Sequence, residues 1–250
     1  MKKTLNLLLL LWAVVLGACS SDEPKIVEPD PADDEWIDPV FAQGLQIRGY
    51  ITDAKTVTPL DVADIEIVDV SFKGDWWPIK SVKGLSHFTS LKEFYCDENL
   101  ITELDVANNT QLTKLGCSHN ELTTLDLSNN TQLTKLNCRN NQLTVLDLSN
   151  NTKLTELLCV YNQLVQLDLA NNPQLTKLWC FANELKRLDI TNNTQLNELF
   201  CELNPGVYDG RHNKFVITAW FDSSAVPENF TQHNWGYDRL SVVVEYRKEK

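Results

Sequence analysis

Five aspartates recur at an interval of 21 residues and form a candidate catalytic set: Asp105, Asp126, Asp147, Asp168 and Asp189. If each occupies the same place in a stacked strand, neighbouring carboxylates are about 5 Å apart, as in the nucleophile and acid of a retaining glycosidase. Catalysis requires two carboxylates in different environments, and these five share one local sequence. The series therefore predicts a repeated turn or strand-edge hydrogen bond, with weak cation binding as the alternative.

Six cysteines keep the same interval: Cys96, Cys117, Cys138, Cys159, Cys180 and Cys201. A zinc site usually contains close Cys-x-x-Cys pairs, and the sequence has none. A disulfide needs Cβ atoms about 3.8 Å apart, which strands about 4.8 Å apart and in register meet poorly. We therefore expect reduced thiols that fill a narrow core, and we predict no metal site.

The remaining residues offer no catalytic set. The four histidines form no HExxH motif, and no P-loop, nucleophile elbow or dinucleotide-binding signature occurs. His119 is expected at the surface near a strand end. Lys and Arg number 22 against 34 Asp and Glu, and the net charge of −12 disfavours nucleic acid as a partner. We predict a protein that is not an enzyme, with no metal and no cofactor.

One repeat unit must position both series. Residues 112–132 are a typical unit, and five full copies and one partial copy lie within residues 91–204. Each unit has two short alternating segments, such as Leu115-x-Cys117 and Leu125-x-Leu127, which turn apolar residues inward. A coil this short can bury them only by stacking on its neighbours. We expect a mainly β solenoid of stacked 21-residue coils with short parallel strands.

Asparagine follows the two segments in two columns. The members are Asn99, Asn120, Asn141, Asn162, Asn183 and Asn204 in the first column, and Asn109, Asn130, Asn151, Asn172 and Asn193 in the second. An inward asparagine at a strand end can bond backbone groups of the turn that would otherwise lack partners. Because a specific binding site does not recur in every coil, we interpret both columns as structural.

The pattern LxxLxCxxNxLxxLDLxxNxx resembles the leucine-rich repeat of bacterial surface proteins, in the short cysteine-ladder form of the internalin J type. The resemblance covers about residues 65–204. It implies a leucine-rich-repeat solenoid and, because internalins are adhesion proteins that bind host proteins, a protein partner. Fold alone does not fix function.

The N-terminus resembles a bacterial lipoprotein signal. Lys2 and Lys3 precede an apolar run, and residues 16–19 are similar to a lipobox, which is cut before an acylated cysteine. We expect a signal peptide over residues 1–18, an acidic, proline-containing tether over 19–37 and a lipid anchor on Cys19. Residues 20–23 resemble the export signal of surface lipoproteins in Bacteroides-type bacteria, so the expected location is the outer-membrane surface.

The ends of the repeat array need caps, because a stack exposes its terminal coils. Asp38-Pro39, an apolar run and Gly49 predict a short helix over 39–48. We assign residues 38–90 to an N-terminal cap and a first irregular coil with an insertion at 75–78, residues 91–204 to the repeats, and residues 205–250 to a β-rich C-terminal cap. Residues 214–221 and 240–246 are expected to pair there as two strands.

Outward positions beside the cysteines vary, and they define a candidate partner-binding surface in the last three repeats. Its members are apolar or aromatic: Leu158, Val160, Tyr161, Trp179, Phe181 and Phe200, with Leu203 beside them. A flanking charged column contains Lys135, Glu156, Lys177 and Glu198. Such a composition is typical of a binding surface. The alternative is that the C-terminal cap, with Trp220, Phe221 and Trp235, folds back over it.

The sequence thus predicts a lipid-anchored cell-surface protein that binds another protein. Aromatic side chains also stack on sugar rings, so a glycan-binding lipoprotein of a polysaccharide-uptake system is the alternative, and a glycoside-cleaving enzyme is third.

Overall fold

The structure, a computed structural model, describes residues 36–74, 77–208, 213–219, 235–236 and 242–246. The predicted signal peptide, Cys19 and nearly all of the tether lie outside the described residues, as do Trp220 and Phe221. Within the described ranges, no helix has both the length and the apolar character needed to cross a membrane.

A helix covers the N-terminal end of the core, as predicted. This helix, α1 (Pro39–Ile47), begins where the Asp38 carboxylate accepts hydrogen bonds of 2.9 Å from two successive backbone N–H groups. It ends before Gly49, whose φ of 76° is unfavourable for other residues. The buried Phe41 ring packs 6.0 Å from Phe88 and 6.5 Å from Phe94, between ring centroids. A single turn, α2 (Pro59–Val62), and a 3-10 helix, Leu85–His87, follow.

Parallel strands, one from each coil, form one side of the solenoid: β1 (Ile67–Asp69), β2 (Glu93–Tyr95), β3 (Lys114–Gly116), β4 (Lys135–Asn137), β5 (Glu156–Leu158), β6 (Lys177–Trp179) and β8 (Glu198–Phe200). From β2 to β8 the register advances by 21 residues each time, and we number these coils 1 to 6. In the irregular coil, Ile67 lies opposite Glu93, a longer step that accommodates the predicted insertion. A short strand, β11 (Trp235–Gly236), pairs with β8 and extends this sheet.

A second sheet forms at the C-terminal end. It joins β7 (Arg187–Asp189), β9 (Val207–Tyr208), β10 (Asn213–Ala219) and β12 (Val242–Tyr246). Strand β10 pairs in parallel with both β12 and β7, so the predicted pairing of two C-terminal strands is confirmed. The cap sheet has more than the two strands expected, however, because β10 also pairs with β7, which belongs to coil 5. Elsewhere the second segment, such as 125–127, is extended without forming a strand.

The core is a continuous stack of leucines and cysteines. All six repeat cysteines are reduced thiols and buried, as predicted, and each is at most 1% exposed. Coils 2 to 4 contribute the same inward leucines and cysteine, and coil 5 differs from them by Ile190. The stack alone therefore does little to distinguish these coils from one another.

Candidate binding face

A left-handed turn follows the first strand of each of coils 1 to 6 and shapes the edge of the face. Two residues after each cysteine, φ lies between 52° and 59° at six non-glycine positions: Glu98, His119, Asn140, Tyr161, Ala182 and Leu203. This conformation is uncommon for residues with a Cβ atom. The N–H of Tyr161, for example, donates to the Phe181 carbonyl of the next coil at 3.2 Å. Cross-coil hydrogen bonds of this kind hold the strained turn, which places Tyr161 and Leu203 outward, 52% and 72% exposed.

The first asparagine column holds these turns together. In coil 3, Asn141 Oδ1 accepts a hydrogen bond of 3.0 Å from the Leu122 N–H. Its Nδ2 donates to the carbonyls of Cys117 and Cys138 at 3.0 and 3.1 Å. The same arrangement recurs along the column, which confirms the structural interpretation.

The second asparagine column is also buried and structural. Asn130 Nδ2 donates to the carbonyls of Val106 and Asn109, both at 3.0 Å. The Oδ1 atom has no hydrogen-bond partner among the described residues, and this holds for all five members. The two columns thus differ in how completely their amides are satisfied.

The aspartate ladder forms repeated turns, as predicted. Each carboxylate accepts a hydrogen bond of 2.9 Å from the backbone N–H two residues later. At Asp126 and Asp147 that backbone bond, from Ser128 or Ser149, lowers the pKa of the carboxyl. A general acid needs a raised pKa, so these two carboxyls are unsuited to that role.

Open grooves run beside the aspartate ladder, away from the strand face. One groove of about 600 Å³ includes Asp105 and Asp126, and another of about 340 Å³ includes Asp126 and Asp147. Their walls repeat from coil to coil, so they do not bring dissimilar groups together. No group of His, Cys, Asp or Glu within the described ranges is arranged to hold a metal ion.

The charged column on the strand face neutralises itself in pairs. Two ion pairs use all four members of the column: Lys135 with Glu156 at 2.6 Å, and Lys177 with Glu198 at 3.2 Å. Glu93 and Lys114 continue the pattern in coils 1 and 2 with a pair at 2.8 Å. The predicted flanking charges are therefore present, but they face one another. They leave the adjacent apolar residues beside an electrically balanced column.

The outward side chains of coils 4 to 6 meet as aromatic pairs. Tyr161 and Phe181 contact edge to face with ring centroids 5.3 Å apart, and Trp179 and Phe200 do the same at 5.4 Å. Leu158 lies opposite Trp179 in the strand register. We call the half-buried and exposed members of this surface the aromatic patch: Leu158, Tyr161, Trp179, Phe181, Phe200 and Leu203.

Trp179 is held in place by its charged neighbours. The Lys177 ammonium lies 4.2 Å from the centre of the indole, and the indole N–H donates to Glu198 Oε1 at 2.7 Å. Sequence reasoning named Lys177 and Glu198 as a flank but missed that they fix the ring. Their opposite charges, 21 residues apart, were the available signal.

Val160 is not part of the exposed surface. It is 3% exposed, which corrects the expectation that it is a contact residue. Its neighbours in the same column are Arg139 and Phe181, both with longer side chains. Val160 is therefore not part of the aromatic patch.

The described part of the C-terminal cap extends the solenoid at its end. Strand β11 lies beside β8, with Gly236 opposite Phe200. Leu203 is 72% exposed, so the described part of the cap does not cover that end of the patch. The alternative of coverage by Trp220, Phe221 and the Trp235 side chain lies outside what the structure describes.

The face of coils 1 to 3 is polar. Tyr95 donates its hydroxyl to Glu93 at 2.8 Å, and burial together with this bond raises the pKa of Tyr95 to about 12. Asp97 accepts hydrogen bonds from the Ser118 N–H, at 2.7 Å, and from the Ser118 hydroxyl. At Gly116 an added Cβ would lie 2.8 Å from side-chain atoms of both Tyr95 and Asp97, so a larger residue there would displace these two side chains. As predicted, His119 is exposed, and its Nε2 lies 3.1 Å from Asn140 Nδ2.

Comparison with known proteins identifies the architecture. The chain is similar to the functional domain of InlJ from Listeria monocytogenes, which includes a cysteine ladder, with 30% identity, 65% of this chain and 41% of that chain covered, and a TM-score of 0.47. For internalin C2 of the same species the identity is 18%, the coverage 84% and 93%, and the TM-score 0.61. A leucine-rich-repeat protein of Leptospira interrogans is 21% identical, with 63% of this chain and 45% of that chain covered and a TM-score of 0.52. The chain has the leucine-rich-repeat fold.

This result confirms the predicted solenoid with cysteine-ladder repeats. The chain spans about two fifths of the InlJ chain, so that protein's activity does not transfer directly. The LVIVD repeat family matches residues 138–161, little more than one coil of the leucine-rich-repeat array. No curated protein sequence matches the chain.

Proposed function

We propose that this leucine-rich-repeat protein is anchored by lipid to the cell surface and binds another protein through the aromatic patch. The observation that carries the proposal is the cluster of partly exposed rings on a rigid ladder, with Trp179 fixed by Lys177 and Glu198. A pre-ordered aromatic side chain loses little freedom on binding, and such residues dominate many protein interfaces. The internalin-like fold supports the same class of partner.

The local geometry favours a protein over a glycan. Sugar recognition uses an open aromatic face together with polar groups that bond to hydroxyls. Here Lys177 lies over the Trp179 indole, and the indole N–H is already bonded to Glu198. The paired rings keep part of their apolar area exposed, and apolar protein side chains can pack against it. We propose no catalytic role for the aspartate ladder.

The test is photo-crosslinking on intact cells from a reactive residue at position 161 in the patch. The expected result is a crosslink to a discrete protein that Trp179→Ala abolishes. A matched probe at position 119 occupies the equivalent left-handed turn in coil 2 and should give no such product. Trp179→Ala should weaken the isolated complex by about 2 kcal/mol or more if Trp179 is an interface anchor.

A glycan array distinguishes the alternative. Binding to a glycan that Trp179→Ala removes, without a protein crosslink, would replace the proposed partner class. Release of products from a polysaccharide would instead restore the enzyme hypothesis.

The lipid anchor has a separate test. Cys19→Ala should leave the protein unacylated and release it from the membrane fraction, because the lipid supplies most of the membrane affinity. Cys138→Ala is the matched control, since Cys138 is buried in the ladder, and it should leave the distribution unchanged. Continued partition of the Cys19→Ala protein into the detergent phase would refute the lipoprotein proposal.

A further inference from the structure

Two charged side chains beside the aromatic patch lack the ion pairs that their neighbours make. Over coils 3 to 6 the strand face carries six charged residues: Lys135, Arg139, Glu156, Lys177, Glu198 and Glu202. Four of them form the two ion pairs of the charged column. Arg139 and Glu202 pair with no charged group among the residues that the structure describes.

These two side chains are also partly removed from water. Both are half-buried, and Arg139 Nε and Glu202 Oε2 are shielded from solvent with no hydrogen-bond partner in the described part of the chain. A charge that has lost part of its hydration without gaining a partner is unfavourable. A partner that supplies the opposite charge recovers that loss, whereas an apolar partner increases it.

Arg139 and Glu202 lie at the two ends of the part of one column that crosses coils 3 to 6. Both directly follow a ladder cysteine, and Val160 and Phe181 fill the equivalent places between them. Three strand spacings of about 4.8 Å separate the ends by about 14 Å. The aromatic patch therefore lies beside a column that is positive at coil 3 and negative at coil 6.

We infer that the partner contacts this face with a segment carrying an acidic side chain opposite Arg139, apolar side chains over the aromatic patch, and a basic side chain opposite Glu202. An extended segment along the solenoid axis fits, because residues four apart project to one side and lie about 13 Å apart. The inference rests on the proposed function and adds the chemistry and direction of the bound segment. Neutral glycans lack both charges, so the column favours a polypeptide.

The experiment is a selection of displayed random linear peptides on the immobilised full chain, with peptides that still bind Trp179→Ala removed. The retained peptides should carry an acid and a base about four residues apart with apolar residues between them. A selected peptide should bind the double variant R139E/E202R at least about tenfold more weakly, because charge pairs across an interface become repulsive. Selection on that variant should return the opposite order of acid and base.

Two further variants complete the design. R139Q/E202Q removes both charges without introducing repulsion. Selection on this variant should still return peptides with apolar residues, but without a fixed order of acid and base. E66K/K92E reverses an exposed ion pair of 2.6 Å far from the patch and should change nothing. Apolar peptides with no charge order would overturn this inference while leaving the patch as a binding surface. If every selected peptide still binds the Trp179→Ala protein, both the inference and the proposed function fail.

Discussion

The strand face of coils 1 to 3 carries Tyr95, Gly116 and Asn137 at the position where coils 4 to 6 carry Leu158, Trp179 and Phe200. The ladder register and the buried cysteines are the same in both halves. The interior therefore places no demand on these outward residues that differs between the halves. Their difference is a property of the surface, which is where a leucine-rich-repeat protein can vary its binding without altering its fold.

The two halves also differ in how their outward groups are satisfied. In coils 1 and 2, polar groups bond one another, as Tyr95 does with Glu93 and Asp97 with Ser118. In the second half, the rings contact each other but keep exposed area, and Arg139 and Glu202 at its borders have no ionic partner within the described ranges. A surface whose polar groups already bond one another gains little free energy from a partner. Exposed apolar area and unpaired charge gain more, because a partner can bury the first and neutralise the second.

The largest predicted effect tests whether the interior is uniform. Burial raises the pKa of the Cys138 thiol to about 12 and raises that of each other ladder thiol. An unfolded thiol has a pKa of about 8.5. The free energy of unfolding should therefore keep its full value below about pH 8.5 and decrease towards pH 12, because the unfolded chain loses its thiol protons first. The decrease is about 1.4 kcal/mol per pH unit for each thiol. Denaturant unfolding between pH 7 and pH 10 measures this loss.

Single alanine variants locate that pH effect. Cys117→Ala in coil 2 and Cys180→Ala in coil 5 each remove one thiol. Each variant should therefore show a smaller decrease of the free energy of unfolding with pH, by the contribution of that thiol. Equal reductions would mean that the interior is the same in both halves. An unchanged slope in both variants would contradict a buried thiol column.

The next effect concerns the first asparagine column. Asn120 in coil 2 and Asn183 in coil 5 each accept from a backbone N–H and donate to two cysteine carbonyls. Replacing either by alanine leaves several buried polar groups unpaired and should lower the free energy of unfolding by about 3 kcal/mol or more. Asn130→Ala, in the second column, should cost less because its Oδ1 already lacks a partner among the described residues. A clear difference between Asn120→Ala and Asn183→Ala, measured by urea unfolding, would refute a uniform interior.

The interior was predictable because it repeats. The interval of 21 residues shows which side chains point inward, and burial with backbone bonding then follows for Cys138 and Asn141 alike. Alternation identifies Val160 as outward but does not show that its side chain is buried. The pairing of β7 with β10 depends on residues beyond 205, where the pattern stops. The contacts of Lys177 and Glu198 with the Trp179 indole depend on side-chain conformations, which a repeat pattern does not specify.

A smaller effect tests whether the patch is surface or core. Trp179→Ala removes one edge-to-face ring contact and one cation–π contact, so the free energy of unfolding should fall by about 1–2 kcal/mol. That corresponds to a decrease of several degrees in Tm. Tyr95→Ala is the matched variant at the same position in coil 1 and should cost a comparable amount, since it loses one hydrogen bond. A loss of about 3–5 kcal/mol for Trp179→Ala alone would indicate that other residues bury the ring, and would make it part of the core.

The smallest effect asks whether the strained turns belong to the repeat or to the binding face. Ala182 in coil 5 and Glu98 in coil 1 have φ values of 53° and 59°. Glycine removes a left-handed penalty of about 1–2 kcal/mol but adds about 0.5–1 kcal/mol of entropy to the unfolded chain. Ala182→Gly and Glu98→Gly should therefore each raise the free energy of unfolding by about 0.5 kcal/mol. Ala170→Gly, at a residue without positive φ, should lower it by a similar amount. Stabilisation in coil 1 alone would mean that neighbouring patch residues, rather than the backbone, determine the turn in coil 5.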